Sequence, residues 1–291
     1  MFEYTDYHIA PWGWELPLYF FLIGTAGMVY VLAAAPAVFG GAAKALEPFR
    51  RTGSATAIVL LLISTVLLIV DLGQPARFLY PILYFHWTSP VSWGALFLLL
   101  FGVCIAGFFY ASMTKNDQLA KLTGIVGSLL ALSMPLYTGL DLMVNQAREL
   151  WANPTIPVLF VTLSVTSGTG LVALLITLSG GMSTEVTRLL RRILFFSVSV
   201  TLALFLAFWV VFMYGTGEEQ EAYALVNELY GLRFWLVTLL VGILAPLAIL
   251  IVPRLYDNAT LVTLAGVLGA IGAYTFREVI VYAGQLPMMT Y

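Results

Sequence analysis

Residues 53–112 read GSATAIVLLLISTVLLIVDLGQPARFLYPILYFHWTSPVSWGALFLLLFGVCIAGFFYAS. Two apolar runs, 53–71 and 90–112, flank a segment from Asp71 to Gly94 that holds an acid, Arg77, His86 and a dense set of aromatic rings. Each run is close to the ~20 apolar residues that a helix needs to cross a bilayer core. Neither shows the alternation of polar and apolar residues that a membrane barrel strand requires, and an open sheet edge cannot face lipid. The stretch therefore predicts two transmembrane helices joined by a polar, aromatic connection at the membrane surface.

The same pattern extends in both directions. The chain has 291 residues, of which 61% are hydrophobic and 10% charged. Soluble domains carry about 25% charge, so this chain cannot cover itself with a water-facing surface. Eight runs are long and apolar enough to span, or nearly so: 15–39, 53–71, 90–112, 119–143, 156–179, 189–214, 231–252 and 259–283. The expected fold is an all-α polytopic membrane protein. The N-terminal MFEYTDYHIAPWGWE lacks the basic start and small-residue cleavage site of a signal peptide, so the first run is expected to be retained. A weak echo, Pro17-x-x-Phe20 and Pro157-x-x-Phe160, suggests two four-helix halves, residues 1–150 and 151–291. Gly-rich helix faces such as Gly24/Gly27 and Gly266/Gly269/Gly272 predict close helix packing.

Orientation follows from the basic residues, which favour the cytoplasmic side. Lys44, Arg50, Arg51, Lys115, Lys121, Arg188, Arg191, Arg192 and Arg254 fall in one set of connections, while Arg77, Arg148, Arg233 and Arg277 fall on the other side. Acids run the opposite way, with an acidic 218–228 loop on the second side. Both termini are thus expected outside the cytoplasm.

Ionisable residues near membrane depth are costly and usually mark function. Here they gather at the outer ends of helices: Glu15, Asp71, Tyr137 with Thr138 and Asp141, and Arg277 with Glu278. His86, Trp93 and Arg77 lie in the adjoining connections. Tyr137 and Asp141 are four apart and share a helix face. Asp71 and Arg77 flank a Gly73/Pro75 turn, close enough to pair. Blander roles compete with each of these: headgroup anchoring for Arg77, an interfacial aromatic belt for Trp93, and loop structure for His86. The distribution favours one site near the outer face over a path of carboxylates through the membrane.

Two histidines, His8 and His86, both predicted outside helices, do not support an internal haem held across helices. The single Cys104 can build neither a disulfide nor an iron–sulfur cluster by itself, and no metal site is expected. Any redox ligand would have to exchange electrons directly with a partner subunit.

Asp71-Leu72-Gly73-Gln74-Pro75-x-Arg77-Phe78, followed by Thr88-Ser89-Pro90-x-Ser92-Trp93-Gly94, resembles a segment of the NrfD/PsrC family of membrane subunits from polysulfide reductase and related complexes. Trp14-x-x-Pro17-x-Tyr19, Tyr137-Thr138-Gly139 and Arg277-x-x-Ile280-x-Tyr282-Ala283-Gly284-Gln285 extend the likeness from residue 12 to 285. Gln74 departs from it, standing where the family often has arginine. The resemblance implies eight helices in two four-helix bundles and a haem-free anchor that exchanges electrons between menaquinone, or another quinone, and an extracytoplasmic iron–sulfur subunit. That subunit would in turn contact a molybdopterin catalytic subunit. The implied setting is the cytoplasmic membrane of a bacterium or archaeon, with the site facing outward and no nucleic-acid partner. Tyr137, Asp71, Glu15 and Asp141 are the candidate proton-handling residues. Arg77, Thr138, His86, Trp93 and Arg277 join Tyr137 as candidate ligand contacts. A transporter or proton-translocating protein, and an anchor without a quinone site, are the competing expectations.

Overall fold

A computed structural model describes residues 12–72, 74–253 and 256–285. His8, Gly73 and Arg254 lie outside these described residues. Among the described residues there are helices and turns and no strand. Eight helical stretches are long and apolar enough to cross a membrane. They are α1 (Glu15–Phe39), α2 (Arg50–Asp71), α4 (Pro90–Thr114), α5 (Asp117–Met143), α6 (Thr155–Leu178), α7 (Thr184–Tyr214), a composite seventh span and α10 (Ala259–Gln285). The short helix α3 (Tyr80–Leu83) lies between α2 and α4. The seventh span joins α8 (Gly217–Gly231), a π-helical stretch Leu232–Leu244 and α9 (Ala245–Ile251).

Most span limits agree with the hydropathy reading, and the larger differences have local causes. Ser183 accepts a hydrogen bond from the Val186 amide and starts α7 five residues before the apolar run. The acidic stretch 218–228, expected as a loop, is helical. Thr216 caps the N-terminus of α8 and Glu219 returns a bond to the Thr216 amide, so a capping box converts charged residues into a helix start.

Helices α1 and α6 are the most enclosed of the eight spans. α1 packs on α2, α5, α6 and α10, while α6 packs on α10, α7, α1 and α5. Small residues permit these contacts. Gly170 and Gly266 meet backbone to backbone, as do Gly242 and Gly272. Lipid supplies no hydrophobic drive between helices, so such close approach replaces it. Hydroxyl pairs add directional ties: Thr25 with Ser167 at 2.8 Å and Thr166 with Ser197 at 2.6 Å.

One crossing sets the site. Pro135 has no N–H, so the Ala131 carbonyl four residues earlier loses its helical donor. Gly27 of α1 lies against that carbonyl, where a Cβ would stand 2.6 Å from the oxygen. α1 and α5 therefore cross closely just below the positions that carry Tyr19 and Tyr137.

The two ends of the bundle differ in chemistry. At one end Trp12 and Gln285 exchange two backbone–side-chain hydrogen bonds, each 3.1 Å, and Trp12 stacks on Trp151 at 5.0 Å. The Trp151 indole donates to the Ile280 carbonyl, and Arg148 donates to the Gln285 carbonyl. We term this the aromatic end. At the basic end Arg50 bonds Ser112 and pairs with Glu47 at 3.1 Å and Asp117 at 3.6 Å, while Arg188 grips Asp257 through two bonds.

Candidate functional site

The segment that opened the sequence reading builds one wall of the site. Ser89 caps α4 by accepting from the Ser92 amide, and Pro90 takes the first helical position, where its missing N–H costs nothing. One turn later, Gly94 provides a flat seat for the ring of Tyr137, and any Cβ there would overlap that ring. Tyr137 and Gly94 thus position each other across α4 and α5.

The Tyr137 hydroxyl is hydrogen-bonded to the hydroxyl of Tyr19, which α1 delivers from the other side. Both side chains are buried. Asp141 lies one turn beyond Tyr137 on the same face of α5, toward the aromatic end. Two phenols and a carboxylate therefore share one corner.

These three residues line a cavity of about 470 Å³ bounded by α1, α2, α4 and α5. The rest of its wall is almost wholly hydrocarbon and includes Phe20, Leu61, Leu68 and Leu98, with only Thr65 adding a hydroxyl. Phe78, Leu79, Pro81 and Ile82 close it at the aromatic end. Such a site suits a ligand with a polar ring edge and a large apolar body. A phenol can donate to a ring oxygen, and a carboxylate can take a proton from one.

The remaining expected residues take varied places. Asp71 and Glu15 are within electrostatic range of each other at the rim, where their neighbours Leu72 and Leu16 line the cavity. Asp71 and Arg77 form no ion pair, contrary to expectation. The turn Pro75–Arg77 sends the Arg77 guanidinium over the Tyr80 ring instead, 5.6 Å from its centre, with the side chain exposed. Thr138 is buried but bonds back to the Pro135 carbonyl at 2.9 Å and does not line the cavity. His86 is exposed and bonds Thr88 at 2.9 Å. Trp93 donates to the Trp87 carbonyl and packs with Phe85, Trp87 and Phe97. None of Arg77, Thr138, His86 and Trp93 reaches the cavity surface.

Arg277 is also away from the cavity, fully buried between α10 and α6. It donates to the carbonyls of Ala273 and Phe160 and to the Ser164 hydroxyl, and lies 4.9 Å from the Phe160 ring centre. No carboxylate pairs with it among the described residues, and its Nε has no partner. The adjacent Glu278 turns away and pairs with Arg233 at 3.0 Å. Phe160 in turn contacts Phe20, a cavity-lining residue, so two rings separate the buried cation from the cavity.

Tyr19 is the residue that chemistry-based reading of the sequence missed. Its signal was present, because it stands four residues after Glu15 and so shares that acid's helix face near the same end.

Comparison with known proteins agrees with this architecture. The family model described as "Polysulphide reductase, NrfD" matches residues 3–288. The chain is 27% identical to "Protein NrfD homolog" of Haemophilus influenzae, covering 94% of each chain. It is also 27% identical to "Protein NrfD" of Escherichia coli, with 94% of this chain and 95% of that one covered. A third relative is the "Hdr-like menaquinol oxidoreductase integral membrane subunit" of Archaeoglobus fulgidus, 23% identical over 95% of this chain and 71% of its own. With eight membrane-length helices and a match across nearly its whole length, this chain belongs to the NrfD family of multi-pass membrane proteins.

Proposed function

We propose that this chain is the haem-free quinone-exchanging subunit of a respiratory oxidoreductase complex. The observation that carries the reading is the Tyr19–Tyr137–Asp141 corner at one end of an otherwise apolar cavity. A quinol has two hydroxyls on a flat apolar ring, and oxidising it to the quinone releases two protons and two electrons. The phenol pair holds one ring oxygen by hydrogen bonding and relays its proton along the two hydroxyls toward the rim, while Asp141 accepts the proton of the other oxygen. Asp71 and Glu15 at the rim pass protons onward to the aqueous surface. The same groups serve the reverse reaction, quinone reduction.

Electrons pass to an iron–sulfur subunit docked at the aromatic end, and from there to a molybdopterin subunit. The aromatic end faces away from the cytoplasm, in keeping with the bias of Lys and Arg toward the other end. Helices of residues 1–150 hold the ligand, while those of 151–291 brace them and extend the docking surface. The Archaeoglobus relative is named as a menaquinol oxidoreductase subunit, which makes menaquinol the first ligand to try.

The test is quinol-coupled turnover of the assembled complex in membranes. Tyr137→Phe and Asp141→Asn should each lower it by about 100-fold, in line with the loss of a proton-transferring group. Assembly with the partner subunits should persist. Wild-type turnover in both variants would refute the assignment.

A further inference from the structure

The cavity extends well past its polar corner, and the extension has a shape of its own. On α4 it follows Val91, Ala95, Leu98, Gly102 and Ala106, one continuous helix face. At a rise of about 1.5 Å per residue, that face runs roughly 22 Å from the aromatic end. Half a bilayer core is about 15 Å, so the groove passes the midplane. Its opposite wall is α2, from Leu72 down to Leu61. Whereas α2 packs extensively on α1, and α4 on α5, the contact between α2 and α4 is sparse. The groove is consequently open at the side. Leu62 is 59% exposed and Val103 64% exposed, yet both line it. At the aromatic end, by contrast, Phe78, Leu79, Pro81 and Ile82 form a lid.

Resting on the quinone reading above, we propose that the slot between α2 and α4 holds the isoprenoid tail of the quinone and admits the whole molecule sideways from the bilayer. Three features select this occupant. The slot is continuous with the polar corner, so a molecule whose ring lies at Tyr137 must direct its substituent into it. The small residues Ala95, Gly102 and Ala106 keep the α4 side of the slot low, and at Gly102 the Leu61 side chain of α2 forms the facing wall, 3.6 Å from where a Cβ would stand. The opening faces hydrocarbon rather than water, so an apolar chain enters without crossing a polar barrier. Tail contacts of this kind supply affinity through buried apolar area and leave the ring free to react.

Binding of two probes to the assembled complex in lipid nanodiscs tests this. One probe is menaquinone with a poly-isoprene tail and the other is menadione, the same ring without one. Gly102→Phe, or Ala106→Phe, should weaken the tailed probe by about tenfold or more while leaving menadione within about twofold, since a bulky side chain fills only the slot. Retained menadione binding also reports an intact fold and ring site. Leu100→Phe, on the same helix but off the groove, should leave both probes unchanged. Equal loss of both probes, or loss of neither, overturns the tail assignment and leaves the ring site standing. A phospholipid retained in the groove and not displaced by the tailed quinone overturns it in the same way. Failure of wild type to bind either probe overturns the quinone reading and this inference together.

Discussion

The ring of Tyr137 occupies the space where any other residue at position 94 would place its side chain. Gly94→Val is therefore expected to push the ring off its seat and break the Tyr19 contact. Quinol turnover should fall as far as in Tyr137→Phe, although no reactive group is removed. Arg277 raises a different question, because a fully buried cation with no carboxylate beside it among the described residues is costly to the fold. The acceptors it would leave behind are already served; Ser164, for one, itself donates to the Phe160 carbonyl at 2.7 Å. Arg277→Met should then change stability by less than about 2 kcal/mol, read as thermal unfolding in detergent. A fall in quinol turnover at unchanged stability would mark the charge as functional. Glu149, in the connection between α5 and α6, is a third case. Burial, and then the Glu218 carboxylate, push its carboxyl group above the ordinary 4.5. The folded state thus holds that proton more tightly than the unfolded chain, and stability falls as pH rises through the window above 4.5. Glu149→Gln should flatten that part of the pH dependence of the unfolding temperature. At this scale the sequence shows which residues bear ionisable or hydroxyl groups near the helix ends and not what they touch. Tyr137 and Asp141 were legible because their spacing fixes a shared face. The Asp71–Arg77 pair was misread because proximity along the chain says nothing of a competing Tyr80 ring.

Helix packing explains most of what hydropathy did not reveal. A run of apolar residues reports its length, which the bilayer dictates, and so the eight spans were legible with limits shifted by caps such as Ser183 and Thr216. The π-helical stretch Leu232–Leu244 was not, because a run whose only polar residues are Arg233 and Thr238 has no polar face to betray a wider helical period. It gives way to α9 at Ala245–Pro246, where proline withholds a donor. The cavity was illegible for a related reason, since it is the gap between four helices and belongs to none of them. Close crossings are the elements' main vulnerability. Gly170→Leu should force α6 and α10 apart, because its first side-chain atom would enter the Gly266 backbone. A loss of about 1–3 kcal/mol or more is expected, visible as a lower unfolding temperature and a smaller folded yield.

Viewed whole, the molecule has an aromatic end that holds the candidate site and a basic end that holds most of its arginine and lysine. The topology is open to direct measurement. Single cysteines placed at Gln146 and at Lys121, in a Cys104→Ala background, should react with a membrane-impermeant thiol reagent from opposite sides of sealed vesicles. Labelling of both from one side would overturn the eight-span reading. The clasp between Trp12 and Gln285 bears on something else, the order in which the protein can be made. Those partners are 273 positions apart, Thr25 and Ser167 are 142 apart, and Tyr19 and Tyr137 are 118 apart. During synthesis α1 therefore emerges with α2 close behind it but well before its other neighbours α5, α6 and α10. It must wait in the lipid with Tyr19 and Thr25 unmatched until α5 and α6 arrive, and Trp12 must wait for α10. Assembly of these eight spans thus ends in a closing of α10 onto α1, and a chain truncated before residue 259 would have its most enclosed helix still lacking part of its enclosure.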